Sequence, residues 1–186
     1  VGRTFRGIAL TATILILIGA TILYYFGFND ITNTAERLWA ALFHSISAYN
    51  NAGFGLWSNS MENYRNNWVV NIVIILLIFL GGLGWRVTSD LWANRRYLKI
   101  RKLSLHTRLV IRTSLILIAF GTFGLLLTES IAQSDLFISS NFHEGFFTVL
   151  FEAVSARTAG FTNMSISTKT ISDSGLLILM TLMFIG

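Results

Sequence analysis

Cysteine is absent from this chain of 186 residues, so no disulfide can hold it together and its redox compartment is unreadable. Charge is scarce: 12% of the residues are Asp, Glu, Lys or Arg, about half the share of a soluble domain. No P-loop, G-x-G-x-x-G turn or HExxH helix occurs, and His44, His106 and His143 do not form a metal set. Catalysis therefore has no candidate site. The chain is expected to carry no organic cofactor and not to be an enzyme.

Apolar sequence fills the space. Hydrophobic residues make up 53% of the chain, and the mean hydropathy is +0.62. Gly7–Phe28 and Asn66–Trp85 are charge-free runs of 22 and 20 residues, each able to cross a hydrocarbon core of about 30 Å at about 1.5 Å per residue. Thr113–Thr128 has 16 such residues and gains length if Arg108 and Arg112 snorkel. Gly7–Phe28 is too long for a signal peptide and lacks a small-residue cleavage site. Ser174–Gly186 is apolar but only 13 residues long. That short run, with Val in place of Met at position 1, reads as a piece of a longer protein.

Where the cations sit matters more than the net charge of +5. Eight of the 14 Lys and Arg lie in one segment, from Arg86 through Arg95, Arg96, Lys99, Arg101, Lys102 and Arg108 to Arg112. Arg3 and Arg6 precede the first run. The other flanks carry Asp30, Glu36, Glu62, Asp135, Glu144 and Asp173. The positive-inside rule then places the N-terminus and residues 86–112 in the cytoplasm. The same residues account for topology, so no nucleic-acid partner is expected; the partner is the lipid bilayer, with contact to anionic headgroups as a further reading.

This orientation poses a parity problem. If Gly7–Phe28 leaves the cytoplasm and Asn66–Trp85 returns to it, the segment between must begin and end outside. Within it, Leu38, Trp39, Leu42, Phe43 and Ile46 recur at helical spacing in Glu36–Tyr49. Such a helix is about 18–21 Å long, too short to cross, so a dip into the membrane and back is predicted. The second half repeats the order: Thr113–Thr128, then the short run His143–Ala156, then Arg157–Thr162, then an apolar run. Leu42-Phe43 matches Leu150-Phe151, Ser47-Ala48 matches Ser155-Ala156, and Ala52-Gly53-Phe54 matches Ala159-Gly160-Phe161. Phe79–Gly81 echoes Phe184–Gly186, and the second copy lacks one residue between SA and AGF. A period near 107 residues is a duplicated domain, not a solenoid. The predicted fold is an all-α membrane protein of tandem units, each a span, a re-entrant pore helix, a filter loop and a span. The first unit covers residues 1–85, a basic cytoplasmic linker covers 86–108, and a second unit, truncated at its C-terminal end, covers 109–186.

A polar loop at membrane depth survives only where protein buries it or it lines a wet cavity. Cation filters replace hydration water with backbone carbonyls. Turning successive carbonyls inward requires backbone angles that glycine adopts freely, which singles out Gly53 and Gly160. Each short helix would point its partially negative C-terminal end at the ion. The bland alternative is an ordinary helix-ending turn, where glycine is also common; the repeat of AGF at matching positions favours the filter. Two loops cannot ring an ion, so the chain either pairs around a pore or belongs to a four-unit protein.

The stretches "SAYNNAGFG" and "SARTAGF", each between two apolar runs, together with "FLGGLGW", resemble the second and third pore-loop regions of the Trk/Ktr/HKT superfamily of potassium transporters, "SARTAGF" most resembling its KtrB branch. The resemblance covers essentially the whole chain. It implies a potassium-channel-like fold of four units around one pore, each giving one filter glycine, with repeats two and three present here. It assigns the filter to Asn51, Ala52, Gly53 and Phe54 and to Thr158, Ala159, Gly160 and Phe161. K+ would bind through the carbonyls of Asn51, Ala52, Gly53, Thr158, Ala159 and Gly160, with Asn50 and Arg157 as support. It implies a homodimer of full-length subunits in the cell membrane, controlled by a cytosolic nucleotide-binding ring of the KtrA type. The function expected is inward K+ movement along the membrane potential, with Na+ as a further candidate ion. The alternatives are a Trk-type or Na+-permeable transporter and a non-conducting membrane subunit of an ion-motive ATPase.

Other residues have competing readings. Arg157 beside a cation filter would repel its substrate, so it is expected behind the loop, paired with Glu152 or Glu144. The alternative is direct tuning of conduction. The phenylalanines are expected to pack behind the filter. "FLGGLGW", Phe79–Trp85, reads first as close helix packing and second as a flexible break; the resemblance puts the gate in the third repeat, beyond Gly186. His44 is expected at an interface or hydrogen-bonded. Asn163–Ser165 fits a glycosylation pattern of low specificity.

Overall fold

The computed structural model describes residues 2–93, 103–132, 142–165 and 170–186. Among these the chain is all-helical. Helix α1 (Gly2–Ile22) runs on through a π-helical turn, Leu23–Gly27. It is followed by α2 (Thr34–Tyr49), a short 3-10 turn (Glu62–Tyr64), α3 (Trp68–Gly82) and α4 (Gly84–Ala93). The second half holds α5 (Leu105–Ala132), α6 (Phe142–Thr158) and α7 (Asp173–Ile185).

Local chemistry explains where these helices start. Asn33 caps α2, its side-chain oxygen accepting from the Ala35 N–H at 3.0 Å while its amide donates to Glu36. Asn67 caps α3 through the Val69 and Val70 N–H groups, and its Nδ2 reaches the Gly27 carbonyl at 2.8 Å. One residue therefore fastens the start of α3 to the end of the π-helical turn. Ser172 caps α7 and is itself held by Glu129 of α5.

Arg6–Gly27 and Leu105–Ala132 are long and apolar enough to cross a membrane. Both match the expected spans, and α5 extends past Arg108 and Arg112. The run Asn66–Trp85 departs from the straight crossing expected of it. It forms 15 helical residues, about 22 Å, and then turns by 98° into α4. The chain has no proline, and the break falls where Gly84 takes φ +76°, a left-handed angle that interrupts a right-handed helix. The first part of the basic stretch, Arg86–Ala93, is thus helical, and Arg108 lies in α5. Arg95, Arg96, Lys99, Arg101 and Lys102 lie outside the described residues.

Helices α1, α2 and α3 pack on one another, as do α5, α6 and α7, and α3 against α6 joins the triplets. The larger core mixes both halves: Leu23, Phe28, Ile74 and Ile78 pack with Phe151, Val154 and Phe161. A second core of Leu125, Val149, Met164, Leu179 and Leu182 belongs to the later triplet. Apolar side chains also cover the outside: Leu17, Ile18, Ile116, Phe120, Phe123 and Phe184 are all more than half exposed. Water would penalise so broad an apolar surface, and hydrocarbon accepts it. The architecture is that of an all-α membrane protein.

Candidate cation site

Both glycine loops leave a helix C-terminus, and they do so differently. After α2, Asn51 adopts φ +51°. Its N–H bonds the Ala48 carbonyl at 3.1 Å, and the Ala52 N–H bonds Ser47 at 2.9 Å. This is a Schellman ending with asparagine in the left-handed position. Gly53 follows with φ +69°. After α6, the Ala159 and Gly160 N–H groups both bond the Ser155 carbonyl, and Gly160 takes φ +82°. The loop shorter by one residue makes do with one left-handed residue where the longer uses two.

The loops touch. A Cβ added to Gly53 would overlap the Ala159 carbonyl oxygen and lie 3.1 Å from the Gly160 carbonyl carbon. Around Gly160 such a Cβ meets nothing within 4 Å. Beyond the contact the second loop is tied to the first half: Met61 N–H donates to the Thr162 carbonyl at 2.9 Å, and Thr162 N–H to Ser60 Oγ at 3.2 Å. Ser155 Oγ donates to the Phe161 carbonyl. Among the described residues, no hydrogen bond ends on the carbonyl of Asn51, Ala52, Gly53, Ala159 or Gly160. The backbone is held on either side of these oxygens, and the Ala159 oxygen lies against Gly53.

The two residues expected as supports, Asn50 and Arg157, sit in different surroundings. Asn50 Nδ2 donates to the Ile46 carbonyl, tightening the end of its own helix. The amide orientation that satisfies Asn51 has Nδ2 donating to Ile78 and its oxygen accepting from Gly82 N–H, both at 3.1 Å. The Asn51 side chain therefore braces the end of α3. Arg157 does not pair with Glu152 or Glu144. Its Nη2 reaches Ser114 Oγ at 3.5 Å, and it lines a cavity of about 20 Å³ with Gly82, Ser114 and Thr158. The reason is geometric: five and thirteen residues of α-helix place each acid about 140° around the axis from Arg157. Phe161 is buried as expected, whereas Phe54 is 70% exposed.

In "FLGGLGW" the packing reading fits Gly81, and a bend falls at Gly84. A Cβ at Gly81 would overlap the Tyr49 carbonyl, so Gly81 permits close packing, while Gly84 makes the break. Gly186 meets the Arg157 carbonyl in the same way, so the matched glycines of the two halves make matched contacts.

His44 is fully buried and stacks on Trp57, with centroids 4.5 Å apart. The Leu56 N–H donates to its Nε2 at 3.3 Å, so Nδ1 carries the proton and donates to Ala40 at 2.8 Å. Phe28 and Tyr64 complete this aromatic cluster, and Phe161 joins it at 6.4 Å from His44. Tyr64 donates to Asp30 at 2.8 Å; burial first, and that carboxylate second, push its phenol above the usual tyrosine range. Asn163 is also fully buried, its amide donating to Asn71 Oδ1 at 2.8 Å. That burial removes it as a glycan acceptor.

Sequence reading missed Ser155, Ser60, Met61 and Asn71. Ser155 had a signal in the repeated SA pair. The rest act across 100 or so residues of sequence, which no local pattern reports.

The family model described as TrkH, a cation transport protein, matches residues 4–186. The chain is 35% identical over 154 residues to the Ktr system potassium uptake protein B of Bacillus subtilis, covering 82% of this chain and 33% of that protein. It is 36% identical over 146 residues to the protein of that name in Vibrio alginolyticus, covering 78% and 31%. It is 32% identical over 152 residues to the potassium/sodium uptake protein NtpJ of Enterococcus hirae, covering 82% and 32%. The chain thus spans about a third of the length of these relatives. Its all-helical membrane fold, its paired glycine loops and this match agree: the chain belongs to the TrkH family of cation transport proteins, whose members are transporters and not enzymes.

Proposed function

We propose that the chain supplies two of the loops that ring K+ in the pore-forming subunit of a potassium uptake system. The observation that carries this reading is the meeting of Gly53 and the Ala159–Gly160 backbone, both glycines left-handed, beside carbonyls that no hydrogen bond among the described residues uses. Carbonyls held this way replace an ion's hydration shell without rearranging when it arrives. Asn51, Ala52, Gly53, Thr158, Ala159 and Gly160 supply the oxygens. The membrane potential drives entry, at about 2.3 kcal/mol per charge per 100 mV. The full-length subunit would sit in the cell membrane with its N-terminus and residues 86–112 in the cytoplasm. It would dimerise and answer to a cytosolic nucleotide-binding ring. A Na+-permeable variant is the second reading, supported by the likeness to a relative named for potassium and sodium uptake.

The full gene is expected to restore growth of a potassium-uptake-deficient bacterium at limiting K+. Gly53→Asp and Gly160→Asp are expected to abolish that rescue while the protein still reaches the membrane. Full rescue by both variants would sink the filter assignment. Competition of labelled Rb+ uptake by K+ against Na+ separates the two readings of the ion.

A further inference from the structure

We infer that Glu152 is a positioning residue for ion discrimination: it fixes the second filter loop two residues past Gly160. Glu152 lies on α6 and is 3% exposed. Its Oε1 accepts from Thr162 Oγ1 at 2.7 Å and from the Asn163 N–H at 3.0 Å. Among the described residues its hydrogen bonds go to these two groups, and no Lys or Arg forms an ion pair with it. A buried carboxylate without a cationic partner is costly to keep. A carboxyl group in such a place is tolerated where hydrogen bonds satisfy it, and here both fall on one oxygen.

The place it holds matters. Gly160 is unconstrained by side-chain packing, since a Cβ there would meet open space. The position of its carbonyl is set by ties on either side of it. On the helix side these are the two N–H bonds to the Ser155 carbonyl. On the far side they are Ser155 Oγ to Phe161, Met61 and Ser60 to Thr162, and Glu152 to Thr162 and Asn163. Glu152 is the ionisable member of that set and makes two bonds from one oxygen. It also links α6 to the opposite half, because Asn163 continues to Asn71, whose amide donates to the Tyr64, Arg65 and Asn67 carbonyls. Discrimination between monovalent cations depends on the width of the ring or on the number and field of its carbonyls. Both change if this strand slides.

The inference rests on the filter reading above. The test uses the full-length protein in uptake-deficient cells, with membrane abundance measured by immunoblot. Rb+ uptake is titrated with K+ and with Na+ to give the preference between them. Glu152→Ala removes both bonds and is expected to lower the K+-over-Na+ preference about tenfold, on the order of what one or two hydrogen bonds contribute. Glu152→Gln keeps an acceptor oxygen and is expected to rescue most of that preference. Thr162→Val removes the hydroxyl that Glu152 shares with the Met164 carbonyl and N–H, keeps the Asn163 bond to Glu152, and is expected to fall between. If Glu152→Ala fails to reach the membrane, Thr162→Val decides. Wild-type preference in the inserted variants, or a loss of maximal rate alone, would overturn the inference. Full transport by Gly160→Asp would remove the filter reading and the inference together. Loss of transport in Gly160→Asp, with wild-type preference in Glu152→Ala and Thr162→Val, would remove the inference alone.

Discussion

Gly53 and Gly160 occupy matching places in the sequence, and their surroundings separate them. Both sit at left-handed angles, where an L side chain costs about 1–2 kcal/mol. Gly160→Ala carries that cost alone. Gly53→Ala adds a collision with the Ala159 carbonyl oxygen, a backbone atom that cannot swing aside. The full-length Gly160→Ala protein is therefore expected to lose about 1–2 kcal/mol and the Gly53→Ala protein distinctly more. Thermal inactivation of the purified variants in detergent measures the difference, and equal losses would contradict the contact. The glycines could be read from sequence because only glycine makes such angles cheap. Their inequality could not, since it depends on what stands opposite. The Arg157 expectation failed for a reason that was readable: the helical angle from Glu144 and Glu152 already points those acids elsewhere.

At the scale of the element, the existence of the helices followed from apolar runs and their spacing, and the repeat supplied the pairing. The bend did not follow. A 20-residue charge-free run reads as one crossing, because hydropathy does not register the sign of φ at one position. Gly84 decides it, and a Cβ there would meet nothing within 4 Å. Gly84→Ala therefore meets no clash in the bent form, and its cost is the left-handed angle itself, about 1–2 kcal/mol, which favours a straighter helix. Spin labels at two solvent-facing sites on α3 and α4 are expected to move apart in this variant as the 98° turn opens. An unchanged distance distribution would assign the bend to packing around it. The Asn51 amide, set on Ile78 and Gly82, holds α3 just before this turn, so the first glycine loop and the bend share one fastening.

For the molecule as a whole, the two halves are bound by few polar ties and one shared core. The Asn71–Asn163 bond is buried, and Asn71 also satisfies three carbonyls at the start of α3. Asn71→Ala leaves the Arg65 carbonyl without that donor and the Asn163 amide without that acceptor, while the Tyr64 and Asn67 carbonyls keep backbone donors, and it is expected to cost about 1–3 kcal/mol. The loss should be seen as a lower unfolding midpoint of the full-length protein, and an unchanged midpoint would show that water replaces the amide. Duplicated architecture was legible because both copies keep the same residues at the same spacing. The seam between them was not, because Asn71, Met61 and Ser60 meet partners about a hundred residues away. That separation has a consequence in time. A ribosome adds roughly 5–20 residues per second, so Met61 waits on the order of 5–20 s before Thr162 exists to accept its N–H. During that interval the first half holds a loop whose partner strand is still to be made, so the seam between the halves closes last.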